Sequence, residues 1–130
     1  MKSWDTNFLL RHLLEDDAAQ LVIVRDQLAA ADRNGIVIFL PQIVLVETSW
    51  YLRSLLSRKA VLDVLAEVLL DRRFLCERSH EVDSAIRAAR KKGDFPDHLI
   101  AASATAAGAL PVQTFDKLLK AFPTFEVHRA

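Results

Sequence analysis

The chain has 130 residues, is 52% hydrophobic and 26% charged, and sets 17 Lys and Arg against 17 Asp and Glu for a formal net charge of zero. A chain of that size and apolar content builds one core of its own, which excludes a disordered polymer, and zero net charge excludes a protein that coats nucleic acid by bulk electrostatics. No run is long and apolar enough for a membrane span, Asp5 stands where a secretory signal would place its apolar core, and the lone Cys76 forms neither a disulfide within the chain nor a zinc cluster, all in keeping with a reducing cytoplasm.

In chain order, Met1–Trp4 is a short strand candidate, and Phe8, Leu9, Leu10, Leu13 and Leu14 recur at helical spacing over Thr6–Leu14. Asp16 and Asp17 are candidate caps for a second helix that runs to about Arg33 and stops near Gly35. The run Ile36–Leu40 reads as a strand buried on both faces, and Pro41 suits the first turn of the helix that follows it. That helix holds Glu47 among apolar neighbours, and helical spacing assigns at least half of Trp50, Tyr51, Leu52, Leu55 and Leu56 to the core. A helix over Arg58–Leu70, a strand over Arg72–Cys76 and a helix from Ser79 to about Lys92 come next. After Asp94-Phe95-Pro96-Asp97, an Ala-rich helix spans His98–Ala107, then a strand over Pro111–Thr114, a short helix through Leu118 and Leu119, and an edge strand at Phe125–Val127. There is no repeat and no linker, so residues 1–130 read as a single domain. Strands that alternate with helices imply parallel pairing through right-handed crossovers, hence a three-layer α/β/α sandwich with a short, mostly parallel central sheet and helices on both faces.

In open parallel sheets the ligand crevice lies beyond the carboxyl ends of the strands. Asp5 and Asp116 each follow a strand candidate, Asp97 lies in the first turn of a helix leading into one, and Glu47 lies in the helix after another. Carboxylates drawn together repel one another until a cation neutralises them, and oxygen-only donors favour Mg²⁺ or Mn²⁺ over zinc. Such a site activates water against a phosphodiester. The aspartates also have a structural reading: Asp5 as the N-cap of the first helix, Asp94 and Asp97 as a cap and a first-turn acid, Asp116 as the cap of the short helix; Glu47 is the acid least explained by structure.

Four blocks, in order and over nearly the whole chain, carry a resemblance. Asp5-Thr6-Asn7-Phe8-Leu9-Leu10-Arg11, Val44-Leu45-Val46-Glu47-Thr48-Ser49-Trp50, Gly93-Asp94-Phe95-Pro96-Asp97-His98-Leu99-Ile100-Ala101-Ala102 and Thr114-Phe115-Asp116 resemble the signature segments of PIN-domain nucleases, especially VapC-type toxins of bacterial toxin–antitoxin pairs. The resemblance implies a PIN-like fold and a Mg²⁺-dependent (or Mn²⁺-dependent) endoribonuclease. In it Asp5 and Asp97 are the principal metal ligands, Glu47 and Asp116 complete the acidic pocket, and Asp94 is a further ligand candidate. Asn7 and Thr114 are candidates for orienting the carboxylates. The resemblance further implies an RNA substrate, a homodimer and a cognate antitoxin protein as partner.

The zero net charge conceals a segregation. Between Arg72 and Lys92 seven basic residues face three acids, a local net of +4, whereas Gly93–Asp116 has three acids and neither Lys nor Arg. Arg87, Arg90, Lys91 and Lys92 are therefore candidates for RNA phosphates, with a solvated helix end favoured by the helix dipole as the alternative. The four histidines lack metal spacing, and His98 reads as a polar surface residue rather than a general base. Two other functions fit an α/β sandwich with strand-end acids. A receiver-like aspartyl-phosphate signalling domain requires an acid at the end of a central strand, where this chain has Pro41-Gln42; a catalytically inactive PIN-like binding module would lack acids that are all present.

Overall fold

The computed structural model describes all residues, Met1–Ala130. The elements in order are β1 (Lys2–Ser3), α1 (Thr6–Leu14), α2 (Ala18–Asn34), β2 (Ile38–Leu40), α3 (Gln42–Arg53), α4 (Arg58–Leu70), β3 (Phe74–Cys76), α5 (Ser79–Lys91), α6 (Phe95–Ala106), β4 (Val112–Thr114), a 3₁₀ helix (Lys117–Ala121) and β5 (Phe125–Val127). Every strand pairing is parallel, in two short sheets, β1-β2-β3 and β4-β5. Six α-helices with short parallel sheets fit the expected α/β/α class. The chain divides into two compact units, Met1–Ser79 and His80–Ala130.

In the first unit β2 is central, with Lys2 opposite Ile38 on one side and Ile38 opposite Phe74 on the other. β1 is exposed at both residues, and its anchor is the next one: Trp4 is 2% exposed, donates its backbone N–H to Phe39 O at 3.1 Å and its indole N–H to Gln27 Oε1 at 2.9 Å. Its ring packs against Phe8, His12 and Phe74 at centroid distances of 5.4, 6.1 and 5.4 Å. β2 is shorter than predicted, because α2 ends on Gly35 at φ +63° and the Ile36 N–H closes back onto Ala31 O at 3.0 Å. Ile36 is thereby taken from the ladder and left 42% exposed, while Ile38 and Leu40 are buried. α1 packs on α2 and α3, and α4 on α3 and β3. The Arg73 guanidinium forks onto Asp71 at 3.0 and 2.8 Å and, through these hydrogen bonds, holds that carboxyl below its ordinary range.

Pro41 stands at the N-cap position just before α3 rather than in its first turn and has no side chain to cap it, and the first free N–H, that of Gln42, is met from outside by Glu77 Oε1 at 2.8 Å, just past β3. α3 does not bury the residues assigned to it. Of the predicted group Leu52 alone is in the core, while Trp50 and Leu55 are 55% exposed and Tyr51 and Leu56 are exposed with them. Thr48 and Ser49 take places on the buried face of α3 while Trp50 and Tyr51 point to solvent, and Leu55 and Leu56 lie past the helix end at Arg53.

In the second unit α6 packs against β4 and the 3₁₀ helix against β5. Ala101, Leu119 and Phe125 form a small core flanked by Val112, Phe122 and Val127. α6 starts three residues earlier than predicted, since Pro96 is accepted in a helix's first turn and Phe95 is buried.

Candidate functional site

Asp5 stands two residues past β1 and caps α1, its Oδ1 accepting the Phe8 N–H at 2.9 Å. The carboxylate is exposed, and its second oxygen is not needed by the helix. The next residue, Thr6, donates its hydroxyl to Glu47 Oε1 at 2.6 Å and so ties the start of α1 to the middle of α3. Glu47 is exposed rather than enclosed by the apolar residues around it in sequence. The helical period explains the difference: Val44, Leu45, Thr48 and Leu52 form the buried face, and Glu47 lies on the other with Ile43 and Trp50. Asn7 is exposed and, with Asp5, Phe8, Arg11, Gln20, Ile23 and Val24, lines a cavity of about 250 Å³ between α1 and α2. Arg11 points its Nη1 to Asp16 at 2.9 Å, and its Nε is buried without an acceptor. The side chain that reaches a carboxylate of the candidate set is that of Thr6, on Glu47. A hydroxyl next to Asp5 was the available signal.

In the second unit Asp94 occupies the N-cap position of α6 without a side-chain bond to the helix's N–H groups, and Asp97 is the third residue of that helix, half-buried. The turn before them is fixed by a contact that the sequence reading placed at the surface. His98 is buried, its Nε2 lies 2.6 Å from Lys92 O and its ring stands edge-on to Phe122 at 5.0 Å. A carbonyl only accepts, so Nε2 carries the proton and donates. His98 leaves the surface because the helix begins at Phe95, which turns position 98 inward over Gly93. Gly93 sits at φ +90°, and a Cβ there would lie 2.7 Å from His98 Nε2 and 3.0 Å from Phe122 Cζ. Asp116 caps the 3₁₀ helix, accepting the Leu118 N–H at 2.9 Å, and its own N–H donates to Thr114 Oγ1 at 3.0 Å, which fixes how the residue leaves β4. Of the basic residues near the end of α5, Arg87 pairs with Asp83 at 3.0 Å, and Arg90, Lys91 and Lys92 are exposed.

The profile of the PIN domain matches residues 4–124. The chain belongs to the PIN-domain family. No curated protein and no solved structure matches it. The matched span contains every acid of the four sequence blocks, from Asp5 to Asp116. Members of the family are generally metal-dependent nucleases, which gives a chemical standard for the acids of this chain. No group of three or more His, Cys, Asp or Glu side chains is gathered into a metal cage. The individual donors nevertheless suit a hard divalent ion: they are oxygen-only, and Asp5 and Asp116 each use one oxygen to cap a helix and keep the other. Mg²⁺ retains several waters and is held through one or two carboxylates plus substrate phosphate, so it requires no all-protein cage. No helix is long and apolar enough to cross a membrane.

Proposed function

We propose that this PIN-domain protein is a Mg²⁺- or Mn²⁺-dependent endoribonuclease, working as one domain over residues 1–130, and the toxin of a toxin–antitoxin pair in the cytoplasm. The observation that carries the reading is the PIN match over residues 4–124, a span that contains Asp5, Glu47, Asp97 and Asp116. Asp5 and Asp97 are the principal ligands of the ion, Glu47 and Asp116 complete the acidic set, and Asp94 is the further candidate. When bound, the ion activates water and offsets the charge that develops on the scissile phosphate. The chain's own residues supply orientation. Thr6 fixes one oxygen of Glu47 by its hydroxyl, the first turn of α1 fixes one oxygen of Asp5, and Thr114 fixes the backbone of Asp116. The exposed Lys91 and Lys92, with Arg87 and Arg90, provide cations for the RNA backbone.

The exposed apolar residues of α3, Ile43, Trp50 and Tyr51, with Leu55 just past its end, support protein partners: a second copy of the chain and an antitoxin. The test is cleavage of single-stranded RNA by the purified chain with Mg²⁺ or Mn²⁺ and with EDTA. Cleavage appears only with the ion and disappears in Asp5→Asn and Asp97→Asn proteins that keep the parent circular dichroism spectrum. Undiminished cleavage by both folded variants refutes the assignment.

A further inference from the structure

The second unit holds a cavity of about 410 Å³ lined by Lys117, Lys120, Phe125, Val127 and Arg129. Its rim is three cations and its floor the apolar face of β5, and no carboxylate lines it. Lys117, Lys120 and Arg129 make neither an ion pair nor a side-chain hydrogen bond, unlike Arg11, Arg25, Lys59, Arg73 and Arg87, each of which has an acid within 3.3 Å. Three exposed cations around one concavity, with no acid among its lining residues, make a positive patch that attracts an anionic ligand. The chain also fixes where the cavity lies: Lys117 directly follows Asp116, whose carboxylate caps the same 3₁₀ helix that carries Lys117 and Lys120.

We infer that this cavity is a binding site for single-stranded RNA, seating a nucleotide next to the one at Asp116. The inference rests on the nuclease reading above. A cationic rim over an apolar floor suits a strand that offers phosphate on one side and flat, weakly polar bases on the other. An acidic peptide offers the charge without the flat apolar face. The β-strand period puts Glu126 on the opposite side of β5 from Phe125 and Val127, so the one acid of that strand does not intrude.

The test is RNA affinity without turnover. The Asp5→Asn protein, in EDTA, is titrated with a fluorescently labelled single-stranded RNA of mixed sequence over a series of salt concentrations. Each neutralised phosphate contributes about 0.7 to the slope of log affinity against log salt for single strands, so removing three contacts reduces the slope by about 2. Lys117→Ala/Lys120→Ala/Arg129→Ala in that background loses this slope and weakens binding at least tenfold, and Lys117→Arg/Lys120→Arg keeps both. Lys2→Ala/Arg33→Ala/Arg72→Ala removes the same charge from exposed positions of the first unit and serves as the comparison.

Equal losses in the two triple variants overturn the inference, because bulk charge then explains binding. So does an unchanged slope in the cavity variant, or a cavity variant that keeps its RNA affinity but no longer binds a poly-glutamate peptide, which would make the site one for an acidic protein. The nuclease reading fails separately: it falls if the unmodified chain cleaves no RNA, whereas the cavity stands or falls on the slope.

Discussion

Gly93→Ala isolates the contact that sets the first turn of α6, the turn carrying Asp97. Two costs add. An L side chain at φ +90° lies outside the preferred left-handed well, and left-handed backbone costs about 1–2 kcal/mol for a residue with a Cβ. The new Cβ also stands 2.7 Å from His98 Nε2, closer than a real contact permits, so the imidazole must move and release Lys92 O. Losing that buried hydrogen bond costs about 1 kcal/mol. The sum is about 2–3 kcal/mol. With an unfolding entropy of about 2.1 cal/mol/K per residue, the chain has about 0.27 kcal/mol/K at its midpoint, and Tm falls by about 7–11 °C. Gly35 and Gly108 provide the comparison, since both have positive φ, +63° and +68°, and neither would meet an atom within 4 Å. Their Ala variants bear the backbone cost alone, a drop of about 4–7 °C by the same conversion. Differential scanning calorimetry measures all three. The Gly93→Ala/His98→Ala double variant relieves the collision and costs less than the two single changes added together. A Gly93→Ala protein that melts with the Gly35→Ala and Gly108→Ala proteins, or strict additivity in the double variant, refutes the latch.

Asp5→Asn keeps the cap on α1, because Asn caps as well as Asp, whereas Asp5→Ala loses about 1 kcal/mol. Thermal melts therefore separate the two while RNA cleavage is lost in both. His12 titrates below its ordinary 6.5, first because it is partly buried and then because Arg73 is near. A depressed imidazole leaves stability intact above 6.5. As pH falls below 6.5 the unfolded chain takes up the proton before the folded one, so stability drops. His12→Phe removes that component of the acid destabilisation, and urea titrations at a series of pH values read it; identical pH profiles for the two proteins would contradict the assignment. Burial pushes the Cys76 thiol from its usual 9.0 up to about 11. The thiolate fraction at pH 8 is then about a hundredfold lower than for an ordinary thiol, and a disulfide reagent labels the native protein correspondingly slowly and the urea-unfolded protein fast. Equal rates in the two states would contradict burial of the thiol.

Most of the element order was legible because it rests on local signals. Thr6–Leu14 and Arg58–Leu70 follow from apolar spacing alone, and Gly35 ends α2 at a left-handed residue as its sequence position suggests. What was not legible depends on which of two available faces the tertiary fold selects. α3 has apolar residues on both faces and the polar Thr48 and Ser49 on the buried one, so periodicity does not say that Trp50, Tyr51 and Glu47 share the exposed side. His98 was read by residue type as a surface group, and its burial depends on a helix starting three residues early and on a glycine five positions back. The cationic cavity was missed because Lys117, Lys120 and Arg129 are spread over the 3₁₀ helix and the segment after β5, and it is the packing of the 3₁₀ helix against β5 that brings those segments together.

Under the nuclease reading Asp5 and Asp116 bear two requirements at once, and geometry lets them meet both. A carboxylate has two oxygens. Asp5 uses one on the Phe8 N–H and Asp116 uses one on the Leu118 N–H, so each helix start orients its acid at the end of a strand while the other oxygen stays available to a ligand. Capping and ligation are thus not rival explanations of these residues, because the cap lowers the freedom of the side chain and presents its second oxygen in a fixed direction. Glu47 lies mid-helix, where no orphan N–H exists to orient it, and there the same task falls to the hydroxyl of Thr6. Thr6→Val, which retains shape and removes the donor, therefore frees Glu47 without uncapping α1. Under the nuclease reading it reduces cleavage while leaving Tm within about 4 °C, since a solvent-exposed hydrogen bond contributes about 0.5–1 kcal/mol. A Thr6→Val protein with parent cleavage rates would show that Glu47 needs no orientation for catalysis.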